Sequence, residues 1–145
     1  MNSIFEQYTV QDLLRRIGKL TADHQPQWGM MRVDQMLKHC QQPFLYESKT
    51  IRKKNLKTRI ILWFFKPMIS NKKPFKKFLP APKAYRVDQT NGFTLERNKL
   101  IDLIDTFSKK TDDFPLHAVF GKLTKTEMGI GMYKHLDHHL RQFGV

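Results

Sequence analysis

Apolar residues recur at helical spacing in four separate segments of the chain, and this periodicity constrains the fold more than any other feature of the sequence. The first segment begins at Thr9, which we interpret as a capping residue, and its apolar stripe continues to Leu20. The second segment covers about 31–47, where Pro43 leaves open a kink or an early end of the helix. Both segments predict amphipathic helices.

The other two segments lie in the second half of the chain. One covers about 94–110, and the other opens with the capping box Thr124 to Glu127 and runs to Phe143, before Gly144 as a natural stop. No convincing alternating strand occurs in the sequence, so we expect an all-α fold, an antiparallel four-helix bundle. A length of 145 residues predicts that 1–145 form a single domain.

Positive charge is concentrated between the second and third predicted helices. The formal net charge is +13, and the stretch from Lys49 to Arg86 holds thirteen basic residues and no acidic one. This basic, proline-containing insert predicts a short apolar helix at about 58–65 and then a long loop packed on the surface. It is either a solvated connection or a surface for an anionic partner, nucleic acid or an anionic membrane surface. The candidate anion-binding residues are Lys72, Lys73, Lys76 and Lys77.

The only cysteine, Cys40, excludes an internal disulfide framework and fits a reducing compartment. The first residues do not resemble a signal peptide, and the longest apolar run, Ile60 to Phe65, is far shorter than the roughly twenty residues of a membrane span. We therefore expect a cytoplasmic protein with no membrane span.

Two of the six histidines share the apolar face of the last helix. His135 and His139 lie one turn apart among the apolar residues, where imidazoles are costly to bury unless they are paired or ligated. This i, i+4 spacing also lets a helix present two imidazole nitrogens to one metal ion. A third ligand must come from another helix, and His39, at the edge of the second stripe, is the candidate.

Several other residues have open roles. His138 falls to the side of the stripe, where it is either an acid or base beside the site or a surface histidine, and Gln142 is within reach to orient a ligand or substrate. His117 either reaches the end of the bundle or is a loop histidine bonded to backbone. Cys40 lies on the apolar stripe, which favours a small core residue over a ligand. Asp137 is predicted to point into solvent.

Three motifs resemble those of the DinB-like (YfiT-like) metalloenzyme superfamily, in one of its bacterial subfamilies of unknown function. They are the WGMMRVDQMLKHC stretch that ends at Cys40, the HAVFGKLT stretch that begins at His117, and the KHLDHHLRQFG stretch that ends at Gly144. The resemblance implies a four-helix bundle with a three-histidine divalent metal site, in which His39, His135 and His139 match the ligand positions. It also implies thiol-dependent transferase or isomerase chemistry, as in some members of the superfamily.

Three neutral imidazoles leave a divalent ion with open positions for water or substrate. We therefore expect a metal-dependent enzyme with bound zinc, nickel or iron, of hydrolytic or thiol-transferase type, acting on a small-molecule substrate, with a low-molecular-weight thiol as a further expected partner. The alternative is a non-catalytic basic binding module for nucleic acid or anionic surfaces. A homodimer is left open by the residues.

Overall fold

The computed structural model describes residues 2–46, 67–69, 71, 73–79, 86–111 and 123–145, and it confirms the predicted all-α bundle. Its four long helices are α1 (Gln7–Gly18), α2 (Val33–Tyr46), α3 (Phe93–Ser108) and α4 (Lys125–Gln142). A further helical stretch occupies 67–69, and no strand occurs in the described ranges. The short helix predicted at 58–65 lies outside the described residues.

Helix α2 has its most extensive contact with α3, and α1 packs on both α3 and α4. A smaller contact joins α2 to α4. These faces meet in one apolar core, in which burial of each large aliphatic side chain contributes about 1.5–3 kcal/mol relative to leaving it exposed. The fully buried members are Ile4, Leu13, Ile17, Met36, Leu37, Leu100 and Ile104, with Leu136 close to fully buried.

Helix α1 begins earlier than predicted. Thr9 is not its N-cap: the helix starts at Gln7, Glu6 holds the cap position, and buried Thr9 donates its hydroxyl to the Glu6 carboxylate at 3.2 Å. The reason lies upstream, where Ile4 is fully buried and its backbone N–H donates to the Gly129 carbonyl at 3.1 Å. The chain is therefore already anchored to α4 before the apolar stripe of α1 begins.

Gly129 makes this anchoring possible. A Cβ added at position 129 would lie 2.6 Å from the Phe5 ring, closer than real Cβ contacts. The absence of a side chain lets residues 3–5 cross α4 against its backbone.

The predicted ends of α4 are confirmed. The Thr124 hydroxyl accepts the Glu127 N–H and the Glu127 carboxylate accepts the Thr124 N–H, which completes the capping box. Gly144, at φ +78°, follows the last turn in the left-handed conformation that glycine adopts without strain. Pro43 lies inside α2, which continues to Tyr46, so the helix does not end early.

A buried polar link holds α2 against α3. Gln41 and Glu96 are each 1% exposed, and the Gln41 amide donates to the Glu96 carboxylate at 2.7 Å and to the Glu96 carbonyl at 3.0 Å. The other carboxylate oxygen accepts the Asn91 N–H at 2.9 Å, and the Lys38 ammonium lies 3.9 Å from it. Because these buried polar groups satisfy one another, the link stabilises the packing of α2 against α3.

No helix within the described part of the chain is both long and apolar enough to cross a membrane.

Candidate metal centre

Three imidazoles meet where α2 packs on α4. His39 comes from α2, and His135 and His139 come from successive turns of α4. Their ring centroids lie 5.0 Å (His39 to His135), 4.6 Å (His39 to His139) and 4.8 Å (His135 to His139) apart. One nitrogen of each ring lies within 4.8 Å of the others, so the cluster could hold a metal ion. His39 and His139 are buried and His135 is partly buried.

The spacing of the closest pair fits a metal ion. The Nε2 atoms of His39 and His135 are 3.0 Å apart. Two zinc–nitrogen bonds of about 2.0–2.1 Å at a tetrahedral angle place their nitrogens about 3.3 Å apart. Without metal the same distance is a hydrogen bond, in which one Nε2–H donates to the other ring. To bind a metal ion through both Nε2 atoms, the ring that carries the Nε2 proton would have to carry it on Nδ1 instead.

Gln142 fixes the orientation of His139. The Gln142 side-chain Nε2 donates to the Trp28 carbonyl at 2.7 Å, and a carbonyl oxygen can only accept. The amide oxygen Oε1 of Gln142 therefore faces His139, where it lies 2.8 Å from Nδ1. His139 therefore carries its proton on Nδ1 and keeps the Nε2 lone pair for a ligand. This is the usual arrangement behind a metal-ligating histidine.

Burial keeps His139 neutral. Desolvation lowers the pKa of His139 to about 3, with a further contribution from the positive charge that His39 would carry. Among the described residues the only grouping able to hold a metal consists of these three histidines and contains no carboxylate. Neutral imidazoles are the protonation state in which histidine binds metal.

His138 is not the surface histidine that periodicity favoured, since it is only 7% exposed. Its ring packs on Trp28, Phe75 and His139 at centroid distances of 5.7, 6.1 and 5.0 Å. Burial lowers its pKa. His138 is buried because residues 73–79 of the basic insert lie over a flank of α4 that helical periodicity predicts to face solvent.

Lys134 binds residues that lie just before this covering segment, and sequence reasoning missed it. The side chain is buried, and its ammonium donates to the carbonyls of Met68 and Asn71, the latter at 3.1 Å, and to the Asn71 side chain at 3.0 Å. It also lies 4.9 Å from the centre of the Phe75 ring. Helical periodicity predicts a solvent-exposed lysine at this position, because the carbonyl groups that bury its ammonium come from a distant part of the sequence. Trp28 was also missed as a site residue, although it lies within the first of the three motifs.

The other residues singled out from the sequence lie outside the histidine cluster or outside the described residues. Cys40 is a buried core residue, as favoured, and burial raises the pKa of its thiol far above the ordinary range. Asp137 does not simply point into solvent: it pairs with Arg16 of α1 and with Arg141, each at 2.9 Å. His117 and Lys72 lie outside the described residues, whereas Lys73, Lys76 and Lys77 are exposed.

Helices packed around a cluster of three histidines define a helical-bundle protein with a candidate metal site. The chain belongs to an uncharacterised family, described as "Protein of unknown function (DUF1569)", whose family model matches residues 7–144. No curated protein and no solved structure matches the chain.

The resemblance to the DinB-like (YfiT-like) superfamily is therefore wrong as an assignment, because the family that matches nearly the whole chain is a different, uncharacterised one. The three motifs behind it cover only a minor part of the sequence. Such motifs encode local features, a helix start, a loop and a histidine pair, rather than a whole chain. The histidine cluster does not depend on that assignment, since it rests on the distances among the rings.

Proposed function

We propose that this protein binds one divalent transition-metal ion through His39, His135 and His139 and uses it in a hydrolytic reaction on a small-molecule substrate. The observation that carries the proposal is the convergence of three imidazole nitrogens from two helices within 4.8 Å. Three protein ligands are typical of catalytic sites, in which further positions stay open for water or substrate, whereas structural zinc sites have four.

A bound divalent ion would supply a nucleophile at neutral pH by lowering the pKa of its water ligand, and would polarise a substrate carbonyl or phosphoryl oxygen. The residues around it have separate roles in this proposal. Gln142 keeps the His139 Nε2 lone pair toward the ion. The rings of His138, Trp28 and Phe75 pack beside His139 and shield that side of the cluster.

Nitrogen ligands alone suit zinc, nickel and iron(II), and availability decides among them. Of the two reaction types predicted from the sequence, hydrolysis rests on the three-imidazole site itself. Thiol transfer rested on the DinB-like resemblance and has lost that support. The basic binding module, a homodimer and a cytoplasmic location stay predictions.

The test is whether the metal has an open, ionisable position. The protein is loaded with Co²⁺, and its visible spectrum is followed from pH 5.5 to 9 and during addition of azide, which binds only where a position is free. We expect a spectral titration near neutral pH, a shift with azide, and hydrolysis of 4-nitrophenyl acetate that rises with the same titration.

His24 offers a matched control, since its Nδ1 accepts the Thr21 N–H at 3.0 Å in a loop outside the cluster. His24→Ala should retain both the spectrum and the rate, and His135→Ala should lose both. A Co²⁺ spectrum that neither pH nor azide changes would mean a closed, structural site and would overturn the catalytic proposal.

A further inference from the structure

A row of side chains leads from the histidine cluster to a fixed positive charge. The His139 ring contacts His138, His138 contacts Trp28, and the Lys77 ammonium lies 4.6 Å from the centre of the Trp28 ring. The cation–π contact holds a flexible lysine at one place, and it connects the covering segment 73–79 to the loop that precedes α2.

The charge of Lys77 is not neutralised by any described residue. Within the described ranges, the carboxylates that form ion pairs bind other lysine and arginine side chains. No carboxylate of these ranges lies within 4.0 Å of the ammonium groups of Lys73, Lys76 or Lys77. Asp137, the acid next to His138 in the sequence, is engaged by Arg16 and Arg141. An exposed ammonium fixed over an aromatic face and left without a counter-ion is suited to bind an anionic group.

His138 provides an independent sign that a ligand belongs here. The ring is 7% exposed, and its Nδ1 is buried with no hydrogen-bond partner among the described residues. The Phe75 ring packs on His138 at a centroid distance of 6.1 Å, so the covering segment lies over this histidine. Nδ1 is therefore a buried polar atom without a partner in the described part of the chain, and such an atom costs about 1–3 kcal/mol unless a ligand group reaches it.

We propose that Lys77, held on Trp28, binds the oxyanion group of the substrate, a carboxylate or a phosphate, while a hydroxyl or amide hydrogen of the same molecule donates to His138 Nδ1. This inference rests on the proposed function, because it places the bond to be hydrolysed at the three histidines. The substrate class is then a small ester or amide with an anionic group at the end away from that bond.

Lys77 differs in this respect from the other lysines of the insert. Lys76 has the same charge and is also exposed, but Lys77 is the one that lies on the Trp28 ring. Lys76 is therefore the matched control: removing its charge changes the net charge equally without touching the Trp28 contact.

The experiment measures anion binding to the metal-free protein through tryptophan fluorescence. Sodium phosphate or sodium succinate is titrated at pH 8 with the ionic strength held constant by NaCl, and Trp28→Phe, which keeps an aromatic ring, identifies the part of the signal that comes from Trp28. We expect a saturable change with at least one of the two probes, and their comparison distinguishes a phosphate from a carboxylate preference. Lys77→Met should weaken binding about tenfold, and Lys76→Met should change it less than twofold.

A linear response identical to that of NaCl, or a Lys77→Met variant that titrates like the parent, would overturn the proposal. A preference for oligonucleotides over both probes, lost equally in the Lys76 and Lys77 variants, would overturn it in favour of a general nucleic-acid surface. Because no metal is present, the result is independent of the proposed function: phosphate or succinate can bind at Lys77 even if the histidines bind no metal, and the reverse also holds.

Discussion

Replacement of Gln142 by Met tests two roles of this side chain, its contribution to stability and its orientation of His139. Met has a similar length and volume but neither donates nor accepts strongly, so the packing is kept and two hydrogen bonds are lost. Gln142 is 5% exposed, and its removal leaves the Trp28 carbonyl and the His139 Nδ1–H without their partner. Each stranded group costs about 1–3 kcal/mol, so the free energy of unfolding should fall by about 2–4 kcal/mol.

The same change should weaken metal binding. Without Gln142 Oε1, the His139 ring is free to place its proton on Nε2, which removes a ligand lone pair. Loss of such a supporting hydrogen bond typically costs 10–100-fold in metal affinity. The affinity is measured by competition between the protein and a chromophoric zinc chelator at pH 7.5, and stability by urea unfolding of the metal-free protein.

Gln41→Met is the matched control. Gln41 is also buried and also makes two hydrogen bonds, but these reach Glu96 on α3 and not the histidines. It should lose comparable stability and keep its zinc affinity within about threefold, well short of the 10–100-fold loss expected at Gln142. Equal zinc affinities for Gln142→Met and the parent, with only stability reduced, would refute the role assigned to Gln142.

The other predictions concern stability and the covering segment. Because burial lowers the pKa of His139 to about 3, the folded state binds fewer protons than the unfolded state between about pH 6.5 and 3. The free energy of unfolding should fall by up to about 1.4 kcal/mol per pH unit as the pH drops through this range, and less steeply in His139→Leu, as urea titrations of metal-free protein can show. Gly129→Ala should destabilise by about 1–3 kcal/mol through overpacking, whereas Gly18→Ala, with nothing within 4 Å of the added Cβ, should stabilise by about 0.5–1 kcal/mol in thermal unfolding. Lys134→Met should speed amide hydrogen exchange across the described part of 67–79, and unchanged exchange would show that the ammonium does not hold this segment.

Local patterns of the sequence predicted the bundle, and they placed two of the three clustered histidines on one helix face. The capping box at Thr124 and the stop at Gly144 are local hydrogen-bonding devices, and both are where the sequence placed them. The i, i+4 spacing of His135 and His139 fixes their shared face by helix geometry alone. The approach of His39 to this pair was permitted, but not required, by its place at the edge of a stripe.

What the sequence did not reveal depends on contacts between distant segments. Helical periodicity predicts that His138 and Lys134 are exposed, because it identifies only the face that α4 turns toward the other long helices. Both are buried because Met68, Asn71 and Phe75 contact α4. Asp137 pairs with Arg16 across 121 positions of sequence, a contact that no local pattern predicts.

The three-histidine metal site is tested most directly by the metal content of the tag-free protein, purified without added metal and again after reconstitution. A variant with His135→Ala and His139→Ala is measured beside it. We expect about one divalent transition-metal ion per chain, lost in the variant while circular dichroism shows that the helices remain. A parent protein that binds no metal even after reconstitution, or a variant that retains it, would show that these histidines do not form the metal site.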